Sequence, residues 1–150
     1  SMTEGKRVLL AMGCPEVPVQ TGIVLYLAHR LGRAGCDVTV AGTDAALKLL
    51  RISDPEGYYI KKVCALDQCI ADLVEMRTDF DAIFVFMHND AGMTYGATFS
   101  AISKAKLYAV IFGKNAEALA ETVEYPAEMI VAKAVHNPMP LKSKLDRVMP

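Results

Sequence analysis

Val8-Leu-Leu-Ala-Met12 is a short apolar run that stops at a glycine, and Gly13-Cys-Pro-Glu-Val-Pro-Val-Gln-Thr21 joins it to a long amphipathic segment. A buried strand, a loop and a helix in this order are typical of the first unit of an open α/β sheet. Ligands of such sheets bind outside the carboxyl ends of the strands. The stretch therefore places Cys14 and Glu16 at a predicted binding edge.

The amphipathic segment predicts the first helix. Ile23, Leu27 and Leu31 recur at helical spacing, so one face of this helix is apolar. Thr21 is expected to cap the helix at its N-terminus, and Gly35 is expected to end it. A strand over 37–41 then follows roughly 30 residues after the first strand, which is the length of a right-handed βαβ unit.

The rest of the chain alternates between helical and strand patterns. We predict helices over 45–51, 65–76, 93–104, 114–123 and 141–149, and strands over 82–87, 107–112 and 128–132. Thr43 or Asp44 is expected to cap the second helix. The alternation predicts a three-layer α/β/α fold around a mostly parallel open sheet of about five strands, of the Rossmann-like or flavodoxin-like kind.

The chain is expected to form a single domain over 1–150, because no linker or internal repeat divides it. The segment 136–150 is predicted to be a tail with a short last helix, since its prolines restrict the backbone. Asp54-Pro-Glu-Gly57 is typical of a turn. Tyr58 and Tyr59 follow it, and we expect them in an extended lid or at a sheet edge.

The charges are balanced, with 16 Lys and Arg residues against 17 Asp and Glu, so nucleic acid and anionic membranes are not expected as partners. The hydrophobic fraction of 53% favours buried strands and a subunit interface, and a homo-oligomer is expected. The apolar run 82–87 is far shorter than the roughly 20 residues of a membrane span. Residues 1–7 lack a signal-peptide core, so we expect a cytoplasmic protein.

The cysteines at positions 14, 36, 64 and 69 lack the paired spacing of a disulfide scaffold, and we expect reduced thiols. Cys64 and Cys69 are five residues apart on one predicted helix, where they would point about 140° away from each other. The histidines at positions 29, 88 and 136 are scattered along the chain. No metal site is therefore predicted.

A parallel sheet would bring the loops that follow its strands to one edge. This arrangement predicts a shared ligand site of eight residues: Cys14, Glu16, Gln20, Thr21, Asp44, His88, Asn89 and Asp90. Phosphate cradles use several glycines and consecutive N–H groups, whereas here two prolines remove donors and Glu16 adds a repelling carboxylate. A nicotinamide dinucleotide is therefore not expected, and Asp44 is interpreted first as a helix cap.

Cys14 and His88 are the candidate catalytic residues. Cys14 precedes a predicted helix N-terminus, whose partial positive charge stabilises a thiolate, and a histidine at the same edge could activate the thiol. Each residue also has a purely structural interpretation. Cys14 could pack under the loop, and His88-Asn89-Asp90 could be a polar turn in which Asn89 or Asp90 caps the next helix.

Four short motifs carry a resemblance when they are taken together. They are Gly13-Cys-Pro-Glu-x-Pro-Val-Gln-Thr21, Asp54-Pro-Glu-Gly57, Asn89-Asp90 and His136-Asn-Pro-x-Pro-Leu141. With these motifs the chain resembles, over nearly its whole length, a small family from methanogenic archaea that is known only as a domain of unknown function. The resemblance implies a three-layer α/β domain in a cytoplasmic archaeal setting, and it implies no activity or cofactor.

Three hypotheses about function follow. The first is that the protein binds a small polar metabolite or cofactor, whose identity the sequence leaves open, at the carboxyl edge of its sheet. The second is a thiol-dependent enzyme or sulfur carrier that uses Cys14; the first fifty residues are loosely similar to sulfur-relay α/β proteins, although no relay cysteine matches. The third is an assembly subunit whose apolar surface and proline-containing tail dock a larger archaeal complex.

Overall fold

The computed structural model describes residues 2–149 and contains six strands and six helices that alternate along this part of the chain. The strands are β1 Arg7–Met12, β2 Asp37–Gly42, β3 Lys62–Ala65, β4 Ala82–Met87, β5 Lys106–Ile111 and β6 Glu128–Val131. The helices are α1 Val19–Arg33, α2 Asp44–Ser53, α3 Leu66–Val74, α4 Asp90–Ile102, α5 Ala116–Ala120 and α6 Met139–Asp146. The α/β class predicted from the alternation is confirmed. Ser1 and Pro150, the ends of the predicted domain and tail, lie outside the described residues.

The strands form one parallel sheet in the order β3-β2-β1-β4-β5-β6. This is the strand order of Rossmann folds, not that of flavodoxin. Side chains alternate between the two faces of each strand, so each face has its own apolar core. One core lies under α1, α2 and α6, and the other lies under α3, α4 and α5.

The sheet has one strand more than predicted. β3 is a four-residue strand at the sheet edge, and its only apolar side chains are those of Val63, Cys64 and Ala65. An edge strand that is mostly exposed needs no alternating apolar pattern, so the segment 62–65 gave no strand signal. The expectation that Cys64 and Cys69 share a helix is therefore wrong. Cys64 lies on β3 and Cys69 on α3, and their thiols interact directly.

Several helix ends also differ from the prediction. Pro18 takes the N-cap position of α1 with helical φ, so Thr21 lies inside the first turn and caps nothing. At α2 the cap is Thr43, whose side chain accepts a hydrogen bond from the N–H of Ala46, and Asp44 is the first helical residue. Gly35, at φ +85°, follows the end of α1, as the sequence predicted.

The bounds of the last two helices also differ from the predicted ranges 114–123 and 141–149. α5 spans only 116–120, because the chain after Gly113 first forms a turn. α6 begins at Met139. Pro138 occupies the N-cap position, and Pro140 is tolerated in the first turn, where its missing N–H is not needed. No helix within residues 2–149 has both the length and the apolar character of a membrane span.

Candidate functional site

The chain changes direction across the sheet between β1 and β4. From β1 the chain continues to β2 and β3 on one side of the sheet, and from β4 it continues to β5 and β6 on the other side. The loops that follow β1 and β4 therefore lead away from each other in opposite directions. Met12 lies opposite Phe86 in the register, and the two loops therefore start side by side. Open α/β sheets bind their ligands at such a switch point.

Gln20 is the most unusual polar residue at this edge, because it is fully buried with 0% of its surface exposed. Its Nε2 donates a hydrogen bond of 3.0 Å to the carbonyl oxygen of Gly13, which ties α1 to the first loop. Its Oε1 has no hydrogen-bond partner among residues 2–149. A buried amide oxygen left without a donor costs about 1–3 kcal/mol, so a partner is expected.

His88 follows the alternation of β4 onto the face covered by α1. The centre of its ring lies 5.2 Å from that of Phe112. Both ring nitrogens are buried and have no hydrogen-bond partner in the described part of the chain. Burial lowers the pKa of His88, and the carboxylate of Glu16 opposes this shift only in part. The imidazole is therefore neutral at pH 7 and keeps one donor and one acceptor unpaired.

The loops after β5 and β6 close the same cluster, which the sequence analysis missed. A Cβ atom on Gly113 would lie 3.7 Å from Cβ of His88 and 3.7 Å from Cγ2 of Val17. The N–H of Gly113 donates to the carbonyl of Ala134, and the N–H of Val19 donates to that of Val135. The sequence does contain a pattern that could have indicated this loop: Gly113 follows an apolar strand just as Gly13 follows the first one.

Cys14 and Glu16 lie on the exposed side of the first loop. The N–H of Glu16 donates to the carbonyl of Cys14 at 2.9 Å, which makes a tight turn. Because neither nitrogen of His88 has a partner among residues 2–149, the Cys14 thiol is not hydrogen-bonded to it. Thr21 is half-buried in the first turn of α1.

The other predicted site residues are occupied elsewhere. Asn89 caps α4, and its Oδ1 accepts a hydrogen bond of 2.9 Å from the N–H of Gly92. This agrees with the alternative of a polar turn in which Asn89 or Asp90 caps the next helix. Asp90 is exposed in the first turn of that helix. The side chain of Asp44 is 84% exposed and pairs with Lys48 at 2.8 Å. Thus, of the predicted site residues, Gln20 and His88 have buried polar atoms without partners among residues 2–149, while Asp44 and Asp90 are exposed to solvent.

The N–H groups of the first loop are largely used within the protein. Those of Glu16, Val19 and Gln20 donate to carbonyls of the chain, and the two prolines of the loop have none to offer. The Glu16 carboxylate would also repel an anion. The loop therefore does not fit the pyrophosphate of a dinucleotide, which needs several free N–H groups.

The open space at this edge is small. The crevice between Gly13, Leu66 and Tyr95, on the side of the sheet that α3 and α4 cover, has about 0 Å³ of room for a water molecule. Ligand sites usually measure roughly 300–1,000 Å³, so a ligand at Gln20 and His88 requires the exposed loop 13–18 to move. Larger clefts of about 380 Å³ and 630 Å³ lie at the opposite edge of the sheet.

The chain is similar to known proteins over nearly its whole length. A family described as a domain of unknown function, DUF1890, matches residues 9–148. The chain belongs to the DUF1890 family. The uncharacterized protein MJ0452 of Methanocaldococcus jannaschii is 35% identical over 144 residues, which are 95% of this chain and 96% of that protein.

Solved structures agree with the fold of this DUF1890 member. The structure of MT0777 superposes with a TM-score of 0.85 at 38% identity, and it covers 94% of this chain and 95% of its own. A hypothetical protein, SMU.573 from Streptococcus mutans, is similar at a TM-score of 0.53 and 23% identity, over 83% of this chain and 44% of its own. The second similarity shows the fold alone.

Proposed function

We propose that this DUF1890 domain binds a small polar metabolite or cofactor at the edge between β1 and β4, with Gln20 and His88 as its buried contacts. One observation carries the proposal: three polar atoms of these two side chains are buried and have no partner among residues 2–149. Native proteins rarely leave such atoms unpaired, and a bound molecule would pair them. Loop 13–18 would act as the cover that opens for entry.

The unpaired atoms define the chemistry of the ligand. Oε1 of Gln20 needs a donor, and the neutral imidazole of His88 needs one donor and one acceptor. A molecule that carries hydroxyl, amino or amide groups side by side would meet all three. Glu16 at the rim disfavours an anion, so we expect a neutral or cationic polar compound.

The test uses native mass spectrometry of the full chain after incubation with a deproteinised extract of Methanocaldococcus jannaschii cells, the source of the 35% identical relative. We expect the wild-type protein to retain a small molecule that denaturation releases. Gln20→Leu and His88→Phe should lose it, whereas Asp44→Asn, whose carboxylate lies in solvent, should keep it. A wild-type mass equal to that of the bare chain would refute the proposal.

Thiol chemistry at Cys14 is the second candidate, and exposure of the thiol beside the α1 N-terminus supports it. It would proceed without a hydrogen bond to His88, so the α1 N-terminus alone would have to activate the thiol. The rate of alkylation of Cys14 at pH 7, compared between the folded and the unfolded protein, decides it. A rate in the folded protein no faster than that in the unfolded chain would rule out an activated thiolate.

The expected homo-oligomer stays a proposal, and one exposed apolar patch supports it. Met76, two residues beyond the end of α3, is 88% exposed and lines the 630 Å³ cleft together with Val74 and Ile102. We expect light scattering to give at least twice the mass of one chain for the wild type and a lower mass for Met76→Lys. A wild type with the mass of one chain would contradict self-association. A cytoplasmic location and docking to a larger complex likewise remain proposals.

A further inference from the structure

A separate cleft of about 380 Å³ lies at the amino edge of the sheet, remote from Gln20 and His88. It is formed by the last turns of α1, the start of β2 and the connection between α2 and β3. Its principal lining residues are His29, Gly32, Arg33, Tyr58, Tyr59 and Lys61. The volume falls within the range of small-molecule sites.

One wall of the cleft is aromatic and rigidly held. Tyr58 and Tyr59 are 71% and 47% exposed. Their backbone N–H groups donate to the carboxylate of the buried Asp54 at 2.9 and 3.1 Å, which fixes the loop. The ring of Tyr59 also meets the ring of His29 edge to face, with the centres 5.4 Å apart. Two exposed tyrosines on an ordered loop form a surface on which a flat ring can stack.

The facing wall is kept clear by Gly32. A Cβ atom there would meet nothing within 4 Å, and its backbone conformation is ordinary for a helix. Neither packing nor geometry therefore requires glycine, although glycine weakens a helix. The absence of a side chain at Gly32 leaves open space in the cleft that Tyr58 and Tyr59 also line.

The charge of the cleft is positive. Arg33 has no ion-pair partner among the residues that the structure describes. Lys61 donates a hydrogen bond to the carbonyl of Gly57, and its charge also helps to lower the pKa of the Asp54 carboxyl group. Asp37 also lines the cleft, but Lys62 neutralises its carboxylate at 2.8 Å. Arginine binds phosphate and carboxylate groups in a planar, two-point geometry.

We propose that this cleft binds a planar aromatic ring that carries an anionic group, with a nucleoside monophosphate as the class it fits. The ring stacks on the tyrosines over Gly32, and Arg33 with Lys61 receives the phosphate. The proposal does not rest on the function proposed for the opposite edge. It also accounts for Tyr58 and Tyr59 as a ligand-contacting segment.

The probe is adenosine 5′-monophosphate, titrated into the full chain by calorimetry, with adenosine and inorganic phosphate as partial probes. We expect saturable binding of the monophosphate, and binding at least about tenfold weaker for each partial probe. Arg33→Gln should weaken the monophosphate about tenfold and leave adenosine unchanged. No saturable binding of the monophosphate up to about 10 mM would overturn the proposal.

Two leucine substitutions on α1 separate the cleft from other effects. Gly32→Leu fills the cleft and should abolish binding, yet it should keep or raise thermal stability because leucine favours a helix. Gly22→Leu is the matched control, since Gly22 is likewise exposed with nothing within 4 Å of its Cβ position, and it should bind as the wild type does. His88→Phe should also keep binding. Equal affinity for wild type and a folded Gly32→Leu would place the ligand elsewhere.

Discussion

Replacing Asp54 by alanine should loosen the loop between α2 and β3. Asp54 is only 8% exposed. Its carboxylate accepts hydrogen bonds from the backbone N–H groups of Tyr58, Tyr59 and Ile60 at 2.9, 3.1 and 2.9 Å. Each hydrogen bond to a charged group contributes about 1.5–3 kcal/mol. Water reaches this exposed loop and would replace part of the loss, so we expect Asp54→Ala to cost about 2–4 kcal/mol.

Thermal unfolding followed by circular dichroism measures this change. For a chain of this length each kcal/mol lowers the Tm by about 2–4 °C, so the Tm should fall by roughly 4–16 °C. Asp54→Asn keeps one oxygen and should cost less. Glu56→Ala, an exposed neighbour in the same turn, should stay within about 0.5 kcal/mol. An Asp54→Ala protein as stable as Glu56→Ala would refute the role of the carboxylate.

The effect of Asp54 should also depend on pH. Burial alone would raise the pKa of its carboxyl group, but the three backbone donors and Lys61 outweigh burial and bring the pKa below its ordinary value. A lowered folded-state pKa contributes stability above the unfolded value of about 3.9, and this is lost as pH falls through the folded value. The difference in unfolding free energy between wild type and Asp54→Ala should therefore shrink below about pH 4.

Three further changes have defined outcomes. Gly96→Ala places a Cβ against the hydroxyl of Tyr125 and should destabilise the protein by about 1–3 kcal/mol in urea unfolding, and a neutral effect would refute this packing. Because the folded-state pKa of His88 is lowered by burial, the wild type should lose more stability than His88→Gln as pH falls below about 6.5; parallel curves would contradict a buried imidazole. Maleimide labelling followed by peptide mapping should modify the exposed Cys14 first and Cys69 last, since burial, and then the neighbouring thiol, raises the pKa of Cys69 to about 12. Early labelling of Cys69 in the folded protein would contradict its place in the core.

The elements that the sequence predicted best are those whose signals are local. β1, β4 and β5 are continuous apolar runs buried on both faces, and the positions 23, 27 and 31 of α1 are all buried as the helical spacing predicted. β3 was missed because its burial is slight, and the start of α1 was misplaced because Pro18, rather than Thr21, occupies the N-cap position. The local pattern indicated only Thr21, because a proline has no side-chain oxygen with which to cap a helix.

The candidate site was predictable only in outline. That loops meet at the carboxyl edge follows from a parallel sheet, but their order across the sheet does not. The structure therefore adds Phe112 and Gly113, which directly follow β5, beside His88, and it leaves Asp44 in solvent with Lys48. No pattern along the chain distinguishes the buried amide of Gln20 from an ordinary exposed glutamine, because its burial depends on contacts with distant segments.

A crystal structure of the full chain after incubation with the methanogen cell extract would show directly what pairs with Gln20 and His88. We expect continuous non-protein density larger than a water molecule, with polar atoms within about 3.2 Å of Gln20 Oε1 and of a His88 ring nitrogen. Isolated water molecules alone at both positions would contradict binding at this edge. Water would then account for all three unpaired atoms.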